Sequence, residues 1–364
     1  MNKNDNLTNI IVKNNANKYI VDEFIRYYKF IYSNYTKSSK SPKENYYKLL
    51  TIKKIIDIIS NYKKKIINGL ELSEIKGVGS KTIARVDEII KNGKLSEISD
   101  TDNQISAITE LAKIYGIGPT TASFFYEKFG ISNIKDLILA NKQGKIKLTH
   151  QMKLGIKYKD NLIDKIPHKL IAIAEDFILK KIKLVDKNII ATVCGSYRRQ
   201  KDFTSDIDIL LTHTKLNNKN KLGKYMNMVI ESLNQIFIID KLTTTSKIHF
   251  QGFASFKNIP NINNLISNLN LNSSSKLKFD TKNNIIRIDI IIVPFDCYYT
   301  ALMHFTGSSI FNQKMRLHAK SLDMKLNEYG LFKLVNKQYI KIAIKSEEDI
   351  FNVLLIKYIP PEKR

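Results

Sequence analysis

Residues 195–211 read GSYRRQKDFTSDIDILL. A Gly-Ser pair, two arginines and then two aspartates one residue apart lead into the apolar run 209–211. Such a run reads as a strand, and alternation along a strand puts Asp206 and Asp208 on one face. Two carboxylates on one buried face are costly unless positive charge lies between them. A third candidate, Asp289, sits in RIDIII at 287–292, again on an apolar strand. Three carboxylates on neighbouring strands make an oxygen-rich site suited to Mg²⁺. Two such ions can activate an attacking hydroxyl and stabilise a leaving pyrophosphate. Any one of these aspartates alone reads as a solvent-facing edge residue; the combination points to metal.

The residues before the aspartates fit the same chemistry. Gly195 permits close backbone approach, and the Ser196 hydroxyl with exposed N–H groups suits a phosphate. Arg199 lies three residues on, on the same face of the turn, where it can clamp a triphosphate oxygen. Read alone, Arg198-Arg199 is a solvated surface pair.

Outward from this stretch the chain changes character. From 19 to about 98 the apolar spacing is helical, helices continue over 102–167, and another spans 169–184. Strands then follow at 188–196, 205–213, 247–256 and 285–293, with a helix at 226–237 and an Asn/Ser-rich loop insertion at 258–276. Residues 1–18 are Asn/Lys-rich and expected to be disordered. An all-α part followed by a mostly antiparallel sheet with helices gives an α+β class.

The helical part carries an internal repeat. GVGSKT (77–82) and GIGPTT (116–121) share Gly-hydrophobic-Gly-x-x-Thr. Gly77 and Gly79, then Gly116 and Gly118, permit tight hairpins between helical segments and leave N–H groups pointing outward, as a DNA phosphate requires. Neither copy follows a strand or has a third glycine, so a dinucleotide site is excluded. The composition agrees with a polyanionic partner: 59 Lys and Arg against 34 Asp and Glu give a formal net charge of +25. Richness in Lys, Asn and Ile also reflects AT-rich coding. Cys194 and Cys297 are isolated, which offers no disulfide framework or zinc spacing and fits a reducing, intracellular compartment. No signal-peptide core or membrane-spanning run is expected, and no partner membrane.

On GSYRRQKDFTSDIDILLTH, FTGSSIFNQKMRLHAK (305–320), LNEYGLF (326–332) and SEEDIFNVLLIKY (346–358), the chain resembles the family X DNA polymerases, the family of DNA polymerase β, from about Lys48 onward. The resemblance implies a lyase-like helical module at 19–100, a second DNA-binding subdomain at 101–167, a catalytic palm at 168–295 and a nucleotide-selection subdomain at 296–364. It implies a template-dependent gap-filling polymerase of base excision repair, probing gapped or nicked double-stranded DNA with dNTP as a monomer. Asp206 and Asp208 are then ligands of both Mg²⁺ or Mn²⁺ ions, and Asp289 of the catalytic one. Lys165, Gly195, Ser196, Arg199, His304, Phe305, Gly307, Ser309, Asn312 and Arg316 fall on the nucleotide, with a cis peptide at Gly307-Ser308. Lys48, Gly77, Gly79, Lys81, Gly116, Gly118, Arg287, Glu328 and Tyr329 fall on the DNA side, Glu328 and Tyr329 by holding Arg316 in its open or closed state. A monovalent cation such as Na⁺ or K⁺ is expected at the hairpin turns. From composition and cysteine usage, not from the resemblance, an intracellular place of action is expected, either the nucleus or a viral replication compartment of the cytoplasm.

The chain departs from the family's pattern at several positions. Lys165 stands for an arginine, His304 for a tyrosine under the sugar, Ser309 for an aspartate that touches the base, and Ile291 for an arginine that competes for the metal aspartates. Arg85 stands where members with deoxyribose-phosphate lyase activity have their Schiff-base lysine. A guanidinium stays protonated and forms no imine, so the lyase nucleophile is unassigned, with Lys81, Lys91 and Lys94 as substitutes. Two other readings remain: template-independent terminal transfer served by the 258–276 loop, and a non-catalytic DNA end-binding scaffold.

Overall fold

Apolar residues at helical spacing and then at alternate positions divide the chain, and the computed structural model divides it after Lys159 into two units, 1–159 and 160–364. It describes residues 7, 10–33, 42–98, 102–216, 218–234, 236–242, 247–264, 280 and 283–364. No described helix is long and apolar enough to cross a membrane.

The first unit is helical: α1 (Lys18–Ser33), α2 (Pro42–Asn61), α3 (Ser80–Asn92), α4 (Asp102–Leu111), α5 (Pro119–Phe129), α6 (Ile134–Lys142) and α7 (His150–Lys157). Ile20, Phe24, Tyr27 and Ile31 recur on one face of α1 and pack with Ile55 and Ile59 of α2 and Val86 and Ile89 of α3. A second core joins Ile108, Leu111, Phe125, Leu137 and Met152 from α4 to α7. The stretch expected to be disordered is folded at its end. Asn15–Asn17 form a 3₁₀ turn, and the buried Asn17 amide donates to Lys64 O (2.8 Å) and accepts from Ile66 N (2.9 Å). An asparagine that satisfies two backbone groups offsets its own burial, a feature that composition does not reveal. Residues 1–6, 8 and 9 of that stretch lie outside the described residues.

Both glycine repeats form the expected turns. Gly77 and Gly116 have φ of +105° and +87°, and Gly79 and Gly118 are the N-caps of α3 and α5. A Cβ on Gly116 would lie 2.9 Å from Met152 N, so glycine is required there for packing as well as conformation. The first turn is preceded by a short 3₁₀ segment, Gly69–Leu72, rather than a full helix.

The second unit begins with α8 (His168–Val185), preceded by a two-residue pairing of Ile166–Pro167 with Phe203–Thr204. Its sheet is built from β1 (Ile189–Val193), β2 (Asp206–His213), β3 (Ile238–Lys241), β4 (His249–Ser255) and β5 (Ile285–Val293) in the order β1-β2-β5-β4-β3. Three pairings are antiparallel, but β2 and β5 run parallel, so the sheet is mixed where a mostly antiparallel one was expected. That parallel pair carries the aspartates. The turn Gly195–Arg198 is α9, and α10 spans Lys219–Leu233. The expected helix at 226–237 starts earlier because Leu222, Met226, Val229 and Leu233 form one buried stripe. It ends before β3, an edge strand the periodicity does not reveal.

Alternation decides which side chains meet water. Ile207, Ile209 and Leu211 of β2 and Ile286, Ile288, Ile290 and Ile292 of β5 pack against α8 and α10. The intervening residues, Asp206, Asp208, Arg287 and Asp289, therefore face the other side of the sheet. Ile259 and Ile262, at the start of the expected loop insertion, are buried in this same core, while 265–279 lie outside the described residues. The chain ends in α11 (Tyr298–Thr306), α12 (Ser309–Ser321), an antiparallel three-stranded sheet of β6 (Met324–Asn327), β7 (Gly330–Val335) and β8 (Gln338–Ile342), and α13 (Glu347–Val353).

Candidate metal and nucleotide site

The parallel register of β2 and β5 sets Asp208 directly beside Asp289 and Asp206 beside Arg287. One carboxylate oxygen from each of Asp206, Asp208 and Asp289 lies within 4.8 Å of the others, and all three residues are half-buried. Burial raises the pKa of Asp289, and the charge of Asp206 raises it further. Arg287, expected on the DNA side, places Nη2 3.0 Å from Asp206 Oδ2. The donor set suits a hard divalent cation: only carboxylates, on rigid strands, close enough to share an ion. A cavity of about 200 Å³ opens beside them, lined by Asp208, Asp289, His249, Gln251, Ile291 and Phe305. A larger cavity of about 630 Å³ lies between α1 and α4 in the first unit, lined by Arg26, Lys29 and Lys113, remote in sequence from this chemistry.

The turn α9 rests on the aspartates. Gly195 has φ +62°, and a Cβ there would collide with the Asp208 carboxylate, which accounts for the Gly-Ser pair of the opening stretch. Cys194 N donates to Asp208 O at 2.7 Å. Ser196 and Arg199 are half-buried on this turn. Arg199 Nη1 donates to the Thr306 carbonyl, while its Nε is buried without a hydrogen bond. Burial lowers the pKa of this guanidinium against the pull of Asp208. Arg198 is not the surface residue that a basic pair suggests. It donates to Thr306 Oγ1 (2.6 Å) and to Glu347 Oε2 (2.5 Å), and Arg364 Nη1 holds the other Glu347 oxygen at 2.6 Å.

A second cluster lies on α11 and α12. The Gly307-Ser308 peptide is cis, as expected, and Ser308 caps α12 by accepting from Phe311 N (3.3 Å). Ser309 is exposed. Asn312 Nδ2 donates to His304 O at 2.7 Å, and Arg316 Nη2 lies 3.2 Å from His304 Nδ1 and 3.5 Å from Glu328 Oε2. Burial lowers the His304 pKa, opposed by the Glu328 charge and helped by that of Arg316, and the net shift favours the neutral ring as acceptor. Phe305 packs edge-on against His304. Tyr329 is exposed, its N–H bonded to Asn327 Oδ1 at 2.9 Å. Lys165 is exposed immediately before the Ile166–Pro167 pairing.

In the first unit, Lys48, Lys81, Lys91 and Lys94 are exposed. Arg85 pairs with Glu97 through two bonds, at 2.8 and 3.1 Å, and lies over the Tyr27 ring, 4.8 Å from its centroid. Lys48 Nζ approaches the same ring at 5.5 Å. Sequence reasoning missed Gln251, His249, Thr306 and Glu347. A polar residue alternating with apolar ones in KIHFQGFASF was the available signal for the first two; nothing local marks the others.

Three family profiles match this chain and together span more than half of it: "Fingers domain of DNA polymerase lambda" over residues 109–162, "DNA polymerase beta palm" over 165–295 and "DNA polymerase beta thumb" over 301–364. DNA polymerase lambda of Rattus norvegicus is 26% identical over 320 residues, 85% of this chain and 51% of that protein. DNA polymerase lambda of Arabidopsis thaliana is 26% identical over 329 residues, 85% of this chain and 56% of its own length. DNA nucleotidylexotransferase of Xenopus laevis is 24% identical over 310 residues, covering 81% and 59% respectively. The chain thus spans about half the length of the first of these relatives.

Proposed function

Because the chain belongs to family X of the DNA polymerases, we propose that it fills short gaps in DNA, adding dNMP to a primer 3′-hydroxyl under template direction. The observation that carries this reading is the three-aspartate cluster placed directly against the Gly195–Arg198 turn. Asp206, Asp208 and Asp289 would hold Mg²⁺. Bound there, the ions supply Lewis-acid activation of the hydroxyl and charge neutralisation of the leaving pyrophosphate. Ser196 and Arg199 bind and orient the triphosphate, and the partnerless Arg199 Nε is a donor awaiting an anion. Asn312 and Arg316 lie on one face of α12, where they can test the minor-groove edge of the new pair. To do so they must leave His304 and Glu328.

The first test is insertion into a one-nucleotide gap with a 5′-phosphate, each dNTP supplied separately with Mg²⁺. Insertion of the complementary nucleotide alone is expected. Insertion regardless of template supports terminal transfer instead, the alternative to which the similarity to DNA nucleotidylexotransferase points.

The first unit, on this reading, holds the 5′ side of the gap without lyase chemistry. Lys48 and Lys81 present charge to the phosphate, while Arg85 is held by Glu97 and cannot form an imine. Borohydride treatment with a 5′-deoxyribose-phosphate gap should leave the protein uncrosslinked. A covalent adduct mapping to Lys81, Lys91 or Lys94 would show that another amine has taken the role.

A further inference from the structure

β4 borders the site on the far side of β5 from β2. Antiparallel pairing sets Gln251 opposite Asp289 and His249 opposite Ile291, so both polar side chains share the carboxylates' face of the sheet. Gln251 and Asp289 also line the same cavity. Phe250, between the two polar residues, turns to the core. A glutamine at this place has no role in packing that core. Its cross-strand partner on that face is the Asp289 carboxylate, within reach of an amide side chain.

We propose that Gln251 is a positioning residue of the metal centre, its amide N–H₂ holding one oxygen of Asp289 so that the other stays turned toward Asp206 and Asp208. The inference rests on the reading of the three aspartates as metal ligands. Physical chemistry favours a neutral donor here. A carboxylate held through one oxygen by a hydrogen bond keeps its other oxygen in a fixed direction. Arg287 gives such support to Asp206, but as a cation it competes with an incoming ion for the same oxygen. An amide adds no charge and can keep its bond while the second oxygen ligates. Partners of this kind orient ligands and tune affinity although they never touch the metal.

The test uses the full chain and Mn²⁺ as probe, with bound ion read from the loss of the free Mn²⁺ spin-resonance signal. Gln251→Met, which keeps length and removes the donor, should weaken Mn²⁺ binding roughly 10-fold or more. The melting temperature of the metal-free protein should be unchanged. Gln251→Leu is the second variant, in case methionine packs poorly, and should behave alike. Wild-type affinity in either folded variant overturns the proposal. So does an affinity loss that follows a fall in metal-free melting temperature, which would mark a packing role. Wild-type protein without saturable Mn²⁺ binding overturns it together with the metal site. Wild-type protein that binds Mn²⁺ yet inserts no nucleotide sinks the polymerase reading and leaves Gln251 in its role.

Discussion

Asp289→Asn is expected to reduce gap-filling insertion by at least about 10³-fold while leaving the protein folded. The substitution keeps the side chain's shape and removes one of three carboxylates that lie within 4.8 Å of each other. An amide oxygen is a poorer ligand for a hard cation, and Asn cannot accept a proton from the attacking hydroxyl. Stability should not fall in parallel. In the metal-free protein Asp289 is disfavoured by burial and by the neighbouring charge of Asp206, so neutralising it removes a cost. Steady-state insertion and the metal-free melting temperature, measured on one preparation, separate the two effects. Activity within about 10-fold of wild type would place the chemistry elsewhere.

Glu347→Ala is expected to destabilise the second unit by about 3–5 kcal/mol. Glu347 is 7% exposed and sits between Arg198 and Arg364, whose guanidinium side chains are 22% and 0% exposed. Removing the carboxylate leaves two like charges facing each other with little water to screen them. Arg364 also lies against Phe311, Phe351 and Tyr358, so it cannot swing to solvent without opening that packing. A urea titration of the full chain checks this, following the unit with a reporter on α13. Glu347→Gln keeps the hydrogen-bond acceptor and should cost less than alanine. A loss below about 1 kcal/mol for alanine would mean that the two arginines find solvent or other partners. Arg198 shares its turn with Ser196 and Arg199, so loosening it should also weaken nucleotide binding.

Much of the site was legible because its residues are constrained locally. Asp-x-Asp on a strand puts two carboxylates on one face in any fold, and RIDIII repeats the logic. The glycines of the two repeats were readable for the same reason: a positive φ demands glycine whatever surrounds it. Misreadings came where a distant partner decides the outcome. Arg198-Arg199 reads as a solvated pair until Thr306 and Glu347 arrive from elsewhere in the chain. Asn17 looks like part of a polar tail until residues 64 and 66 close on it. β3 was hidden because an edge strand of four residues has too few alternations to distinguish it from a helix end.

The amino-acid sequence by itself determined which residues can carry charge on the open face of a strand, where the chain must turn through glycine, and that Arg85 cannot serve as an imine-forming amine. Only the tertiary structure decided that β2 and β5 run parallel in the register that sets Asp208 beside Asp289. It also decided that Gln251 lies opposite Asp289 and that Arg287 spends its charge on Asp206. Local rules follow from sterics within a few bonds. Strand register follows from which hydrophobic faces α8 and α10 can cover together, a sum over residues far apart in the chain.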